Sequence, residues 1–331
     1  MDKLMNKRKI KNFILDHVIE VMLVILVIGM WMARDTFMSL PNWMNILRNI
    51  SLKGVIAFAM TMVIISGEID LSVGSTVALS GVIVARLSRD LPESLGVSVT
   101  VACLIGIMVA LLAAVLLGFI HATARHKFGM PSFIVTLASL NLIYGLSGII
   151  SGGFPIANAF PVWFKVLGTG RVGGMQGLPV PAIIMIVMFA ILFFVMKYTS
   201  TGRSIYAVGG NVESARLSGI NVYKTRIIVF SSVQVMCVLG GLMNSAQVLS
   251  GSYSFGRGWE LDIISSVVIG GASMSGGIGK AWGTLMGIIF LGVMINGMTI
   301  LNVSVYFQYA IRAALMFLAV MISTYQAKAK A

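Results

Sequence analysis

Ten apolar runs divide this chain, at about residues 15–33, 50–66, 71–87, 95–120, 132–151, 179–197, 226–248, 261–275, 281–297 and 304–324. Runs so long and so poor in charge have one natural solvent. A bilayer core takes ~20 apolar residues per helical crossing, and in lipid each helix must satisfy its own backbone amides. With 58% hydrophobic and only 11% charged residues, a water-soluble domain has no use for this much apolar surface. The pattern predicts an all-α polytopic membrane protein with about ten transmembrane helices, one domain over residues 1–331. The pairs flanking 67–70 and 276–280 are short, and such broken helix pairs place irregular backbone where it lines a cavity. The start, MDKLMNKRKIKN, is basic, but the apolar run after it lacks a small-residue cleavage site, so it reads as a retained first span.

The net charge of +13 does not point to nucleic acid, because the basic residues form no single patch with interleaved aromatics. They sit mainly between the runs. With a cytoplasmic N-terminus, fifteen Lys and Arg fall on the inner side and eight on the outer, including Arg48, Lys53, Arg86 and Arg89, with Arg312 inside the last run. That asymmetry places both termini in the cytoplasm and calls for an even number of spans. The outer loop from Ser151 to Leu178 is rich in Gly and Pro, and its Trp163 and Phe164 are expected at the membrane interface. Cys103 and Cys237 lie within apolar runs and read as buried, free thiols.

One cytoplasmic stretch, about 198–226, stands out as polar and basic. Inside it Asn211 is a good N-cap, Glu213 falls in the first turn and Gly219 is placed to end a helix in the left-handed region. That leaves roughly seven or eight helical residues, well under the ~12–15 an isolated helix needs in water. The segment is either an ordinary capped loop or a helix that docks on a partner through Gly210, Asn211, Glu213, Ser214, Ala215, Arg216, Leu217 and Gly219.

Residues able to carry chemistry are sparse. Glu68 and Asp70 lie beside apolar runs, where carboxylates are costly unless paired, hydrated or capping. Asp70 or Ser72 either caps the helix that starts near Leu71 or belongs to a gate or transport path. No His, Lys or Arg is expected to be buried with the two carboxylates, and His17, His121 and His126 fall near span ends. The Gly-rich run from Gly270 to Thr284 fails as a phosphate loop, since Met274 replaces the first Gly of GxxxxGK[ST] and Ala281 the Ser/Thr. Its glycines fit a tight turn and close helix packing. Amides and carboxylates in or beside the runs, among them Asn244, Gln247, Glu260, Asp262 and Asn296, suit either a polar lumen for a hydroxylated solute or interhelical hydrogen bonds. No convergent acid, base, nucleophile or metal set marks an enzyme.

Three segments together resemble the permeases of bacterial ABC importers for monosaccharides, the ribose-type branch. They are Gly67 to Ser75 (GEIDLSVGS), Thr201 to Ile220 with its TGRSIYAVGGN start, and Glu260-Leu261-Asp262 followed by Val268-Ile269-Gly270-Gly271, Gly276-Gly277, Gly279 and Gly283-Thr284. The similarity runs from about residue 40 to 324. It implies a homodimer of permeases in the bacterial inner membrane, a cytoplasmic ATP-binding subunit that holds the ATP, a periplasmic sugar-binding protein, and no cofactor in this chain. It also implies that 211–219 engages the ATPase, and that a solute passes between two permease copies. Glu68 departs from the pattern, since ribose members carry a small residue there. The competing reading is a self-contained secondary transporter or facilitator for a small polar solute, which needs no capped cytoplasmic helix.

Overall fold

A helix occupies each of the ten apolar runs in the computed structural model, which describes residues 17–328. The basic start and Lys330, used above to assign topology, lie outside the described residues. The first helix, α1, covers Val18–Ala33. After a 3-10 turn at Asp35–Met38 comes α2, Leu40–Ile65, with Pro41 in its first turn, where a missing amide hydrogen is harmless. Then follow α3 (Val73–Leu95), α4 (Val99–Lys127), α5 (Ser132–Ser151) and α6 (Val180–Tyr198). Beyond the stretch 198–226 come α9 (Val222–Val248), α10 (Trp259–Ile269), α11 (Ala281–Ile300) and α12 (Val305–Lys328). Six of these, α2, α4, α5, α6, α9 and α11, are long and apolar enough to cross a membrane.

The stretch 198–226 is almost wholly helical. Its first part is α7, Ser200–Gly210, capped by Thr199, whose hydroxyl accepts from the Gly202 amide. Its second is α8, Val212–Leu217, and α9 already begins at Val222. Lys224 and Arg226, counted above as loop charges, therefore lie in the first turns of α9. Likewise Arg48 and Lys53 are inside α2, and Arg86 and Arg89 inside α3.

Helix α2 starts some ten residues before its apolar run. The reason is a polar stripe: Asn42, Asn45, Asn49 and Lys53 recur at helical spacing and dilute the local hydropathy, while Ile46 and Ile50 directly beside the stripe are buried. Short helices flanking 67–70 were expected, but α2 has 26 residues and α3, which runs on past Arg86 and Arg89 to Leu95, has 23. At the other site the expectation holds for one helix of the pair: α10 has 11 residues and spans ~16 Å, about half of a hydrocarbon core, whereas α11 has 20 residues and is long enough to cross.

At the centre, α9 packs against α2, α3 and α4, while α10 is held between α2 and α11. At the edges, α5 rests on α3 and α12 rests on α10. Two-residue strands pin the loop after α5: β1 (Ile156–Ala157) pairs antiparallel with Ser250–Gly251 at the end of α9. In the same loop Phe164 is fully buried and stacks on Phe160 against α4 and α9. Its expected place at the membrane interface is therefore wrong, while Trp163 beside it is 38% exposed. From Gly251 the chain descends without helix along α3, and Gly256 touches the Gly74 backbone. A Cβ on either glycine would strike the other's carbonyl oxygen, so only glycine permits this approach. The Gly-rich link after α10 closes as expected: Gly283 packs on Gly270 and Gly287 on the Ser266 carbonyl.

Candidate functional site

Three groups of polar residues emerge, at different depths. The first is α8. Asn211 accepts a hydrogen bond from the Ser214 amide (2.8 Å) and so caps the helix. At the other end Gly219, at φ +81°, closes a Schellman turn: its amide donates to the Arg216 carbonyl and the Ile220 amide to the Ala215 carbonyl, both at 3.0 Å. Arg216 donates to Glu213 one turn back, and this bond holds the Glu213 carboxyl below its usual range. Only Ala215 is buried, against Val208 and Val222. Ser214, Glu213, Arg216 and Gly219 are exposed, as are Val212 and Leu217, the latter by 75%. This six-residue helix is thus anchored by one alanine and leaves two apolar side chains bare, well short of the length an isolated helix needs in water.

What lies behind α8 is rigidly joined to the membrane helices. Gly209, near the end of α7, abuts the Ile65 carbonyl at the end of α2. The same carbonyl accepts from the Gly277 amide (2.8 Å), and Tyr206 donates to the Gly279 carbonyl (2.8 Å). One junction thus ties together α7, the end of α2 and the link between α10 and α11.

The second group adjoins that junction. Asp70 is fully buried. Its carboxylate accepts from the Ser72 amide (2.9 Å), the Ser72 hydroxyl (2.6 Å) and the Gln234 amide (2.8 Å), and the His121 Nδ1 is 3.6 Å away. Thr76 donates to Gln234, and His121 pairs with Ser139. Ser72 occupies the N-cap position of α3, and Asp70 holds the turn before it. Two residues earlier, Glu68 is buried between two guanidinium groups. Arg125 donates to both carboxylate oxygens (2.8 and 2.9 Å), and Arg226 stands 3.0 Å from one of them. The expectation that no His or Arg would be buried with these carboxylates is overturned: His121 is 1% and Arg226 6% exposed. His121 lies within α4, not at a loop, and α4 and α9 bring in partners more than fifty residues away.

The third group lies on α2, α10, α11 and α12. Asp262 pairs with Lys53 and accepts from Arg312 at both oxygens (3.0 Å each). Asn296 exchanges two amide hydrogen bonds with Asn42 (2.9 and 3.1 Å). Between them is a cavity of about 180 Å³, lined in part by Asn45, Asn49, Lys53, Asp262, Ser266 and Asn296. Glu260, two residues from Asp262, points elsewhere, to Gly74 at the start of α3. There its Oε2 and the Tyr144 hydroxyl are buried without hydrogen-bond partners, and Arg257 covers the Tyr144 ring. Asn244 and Gln247 are half-buried near the end of α9, apart from all three groups. Lys53, Arg312, His121, Arg125 and Arg226 were not picked out as site residues. Lys53, in the run 50–66, and Arg312, in the last run, were visible as charges inside apolar runs. Among the described residues no cluster of His, Cys, Asp and Glu could hold a metal ion.

A bundle of long apolar helices with a short exposed capped helix on its surface and buried polar side chains between its helices fits a membrane permease. Residues 42–320 match the family described as branched-chain amino acid transport system / permease component, and the chain belongs to that family. It is 36% identical over 320 residues to the ribose import permease protein RbsC of Haemophilus influenzae, covering 96% of this chain and 95% of the relative. The xylose transport system permease protein XylH of the same species is 32% identical over 352 residues (87% and 90% covered). The L-arabinose ABC transporter permease protein AraH of Azospirillum brasilense is 32% identical over 290 residues (88% and 82% covered). No solved structure matches the chain.

Proposed function

We propose that this chain is the transmembrane permease subunit of an ATP-binding cassette importer that moves a monosaccharide, ribose-like or a related sugar, from periplasm to cytoplasm. Relatives named for ribose, xylose and L-arabinose support the solute class. The chain performs no chemistry of its own and needs no cofactor; ATP is bound and hydrolysed by a separate cytoplasmic subunit. A periplasmic sugar-binding protein delivers the solute to a homodimer of this permease in the inner membrane. In this reading the ten helices occupying the apolar runs all belong to the membrane domain, and both termini are cytoplasmic.

The observation that carries the proposal is α8, capped at both ends, held by Ala215 alone and exposing Val212 and Leu217. We assign it as the coupling helix, with Gly210, Asn211, Glu213, Ser214, Ala215, Arg216, Leu217 and Gly219 at the ATPase contact. Its motion passes through Gly209 to the end of α2 and so to Glu68, Asp70 and Ser72, which act as a gate from within the wall. Asn244, Gln247, Glu260, Asp262 and Asn296 belong to the polar route. Ser214→Pro removes the amide that Asn211 caps, and Gly219→Val forces a β-branched residue into the left-handed region. Either variant inserts in the membrane but abolishes ATP-driven uptake in reconstituted vesicles. Normal uptake would remove the coupling role and favour a self-contained facilitator.

A further inference from the structure

We infer that the cavity between α2, α10 and α11 is a transient subsite for one neutral monosaccharide inside the permease; this rests on the transport reading above. The argument begins with solvent. Lys53, Asp262 and Arg312 are an ion triad with side chains 28%, 10% and 17% exposed. They sit on helices whose apolar faces meet lipid or protein. Ionisable groups at that depth persist where they face protein or water, not hydrocarbon. The space beside them is therefore a wet compartment, closed off from lipid in the assembled transporter.

Its size and lining then select the occupant. A volume of about 180 Å³ equals about six water molecules in the liquid, which suits one small sugar and no disaccharide. The walls are apolar, from Ile46, Ile50, Ile288 and Leu291, and the polar groups converge from three helices. Such a mix, apolar walls with a few placed polar groups, is that of a ligand pocket. From α2 the Asn45 amide hydrogens and the Asn49 carbonyl oxygen face the space, the Asn45 Oδ1 accepting from Arg48 and Asn49. From α11 Asn296 keeps one amide hydrogen beyond its two bonds with Asn42, and from α10 the Ser266 hydroxyl, which donates to the Asp262 carbonyl, is left to accept. Ring hydroxyls of a sugar are donors and acceptors in equal measure, and this lining matches them. The triad carries one net positive charge, so a cation would be repelled, and its single carboxylate is already held by Lys53 and Arg312.

Chain position gives this pocket a natural reporter. Asn49 is exposed at the cavity mouth, whereas Cys103 and Cys237 are both buried. The Asn49→Cys variant, assembled with its ATPase and receptor in vesicles, is treated with a hydrophilic thiol reagent during turnover. Ribose, xylose and L-arabinose are tested in turn as the transported solute. Labelling of Cys at 49 is expected, and the sugar that is taken up slows it at least fivefold. In parallel, Asn45→Leu keeps the number and branching of heavy atoms but removes the amide; uptake falls about tenfold while receptor-stimulated ATP hydrolysis persists. Reaction only with a lipid-soluble reagent, or labelling indifferent to a sugar that is being transported, would overturn the subsite and leave the importer reading standing. Absence of ATP-driven uptake of any sugar by the unaltered complex would overturn both.

Discussion

Gly209 is where the coupling scheme is most exposed to test, because backbone meets backbone there. A Cβ at this position would overlap the Ile65 carbonyl oxygen and lie 2.7 Å from the Gly277 amide nitrogen. Neither atom belongs to a flexible side chain, so α7 must back away from the end of α2 by about 1.5 Å to restore ordinary contact. Overpacking of this kind costs about 1–3 kcal/mol. Strain on the Gly277–Ile65 hydrogen bond adds about 1 kcal/mol. The better helix propensity of Ala returns up to about 1 kcal/mol. The net is a loss of about 1–4 kcal/mol, located at the joint between α7 and the end of α2. Gly29 in α1 is the control, since a Cβ there meets nothing within 4 Å and the residue lies outside the coupling contact. In purified transporter in vesicles, Gly209→Ala is expected to cut sugar uptake at least tenfold and to weaken receptor-stimulated ATP hydrolysis. Gly29→Ala transports at the parental rate. Equal behaviour of the two variants would refute the idea that force passes through this junction.

Three further outcomes follow from the buried polar groups. Glu68→Gln leaves Arg125 and Arg226 facing each other across an uncharged amide, and it should lower stability by about 2–3 kcal/mol in denaturant titration of the detergent-solubilised protein; Arg125→Gln in the same chain restores part of it. Asp70→Asn places an amide where only acceptance is wanted by Ser72 and Gln234, and it should destabilise by about 2 kcal/mol by the same titration, with uptake falling further than the amount of folded protein; uptake that merely tracks folded protein would remove Asp70 from the gate and leave it a structural cap. Tyr144→Phe removes a buried hydroxyl that has no partner, and its thermal midpoint should stay level or rise; a drop would show that the hydroxyl is held by water or solute.

Much of this organisation could be read along the chain, and the misses share one cause. The apolar runs located their ten helices because lipid enforces a local rule, and Asn211 and Gly219 marked α8 because capping is local too. Boundaries failed where a polar stripe shared a helix with a buried face, as at Asn42, Asn45, Asn49 and Lys53 on α2. Charges in such stripes were counted as loop charges for the same reason. Phe164 was misplaced because an aromatic in a loop between spans says nothing of the β1 and Ser250–Gly251 pairing that folds the loop inward. The partners of Asp70 and Glu68 could not be seen at all. His121, Arg125, Arg226 and Gln234 meet them only once α4 and α9 cross the link before α3, and no spacing in the sequence encodes that crossing.

The central claim is that a separate ATPase drives this permease through α8. Its most direct test is to purify the tagged chain from native membranes in mild detergent, identify what accompanies it, and assay sugar uptake by the recovered assembly in vesicles with and without ATP. The account predicts a stoichiometric partner carrying a GxxxxGK[ST] phosphate loop, its loss in the Ser214→Pro variant, and uptake only when ATP is supplied. A chain that purifies alone and moves sugar down its gradient without ATP would contradict it.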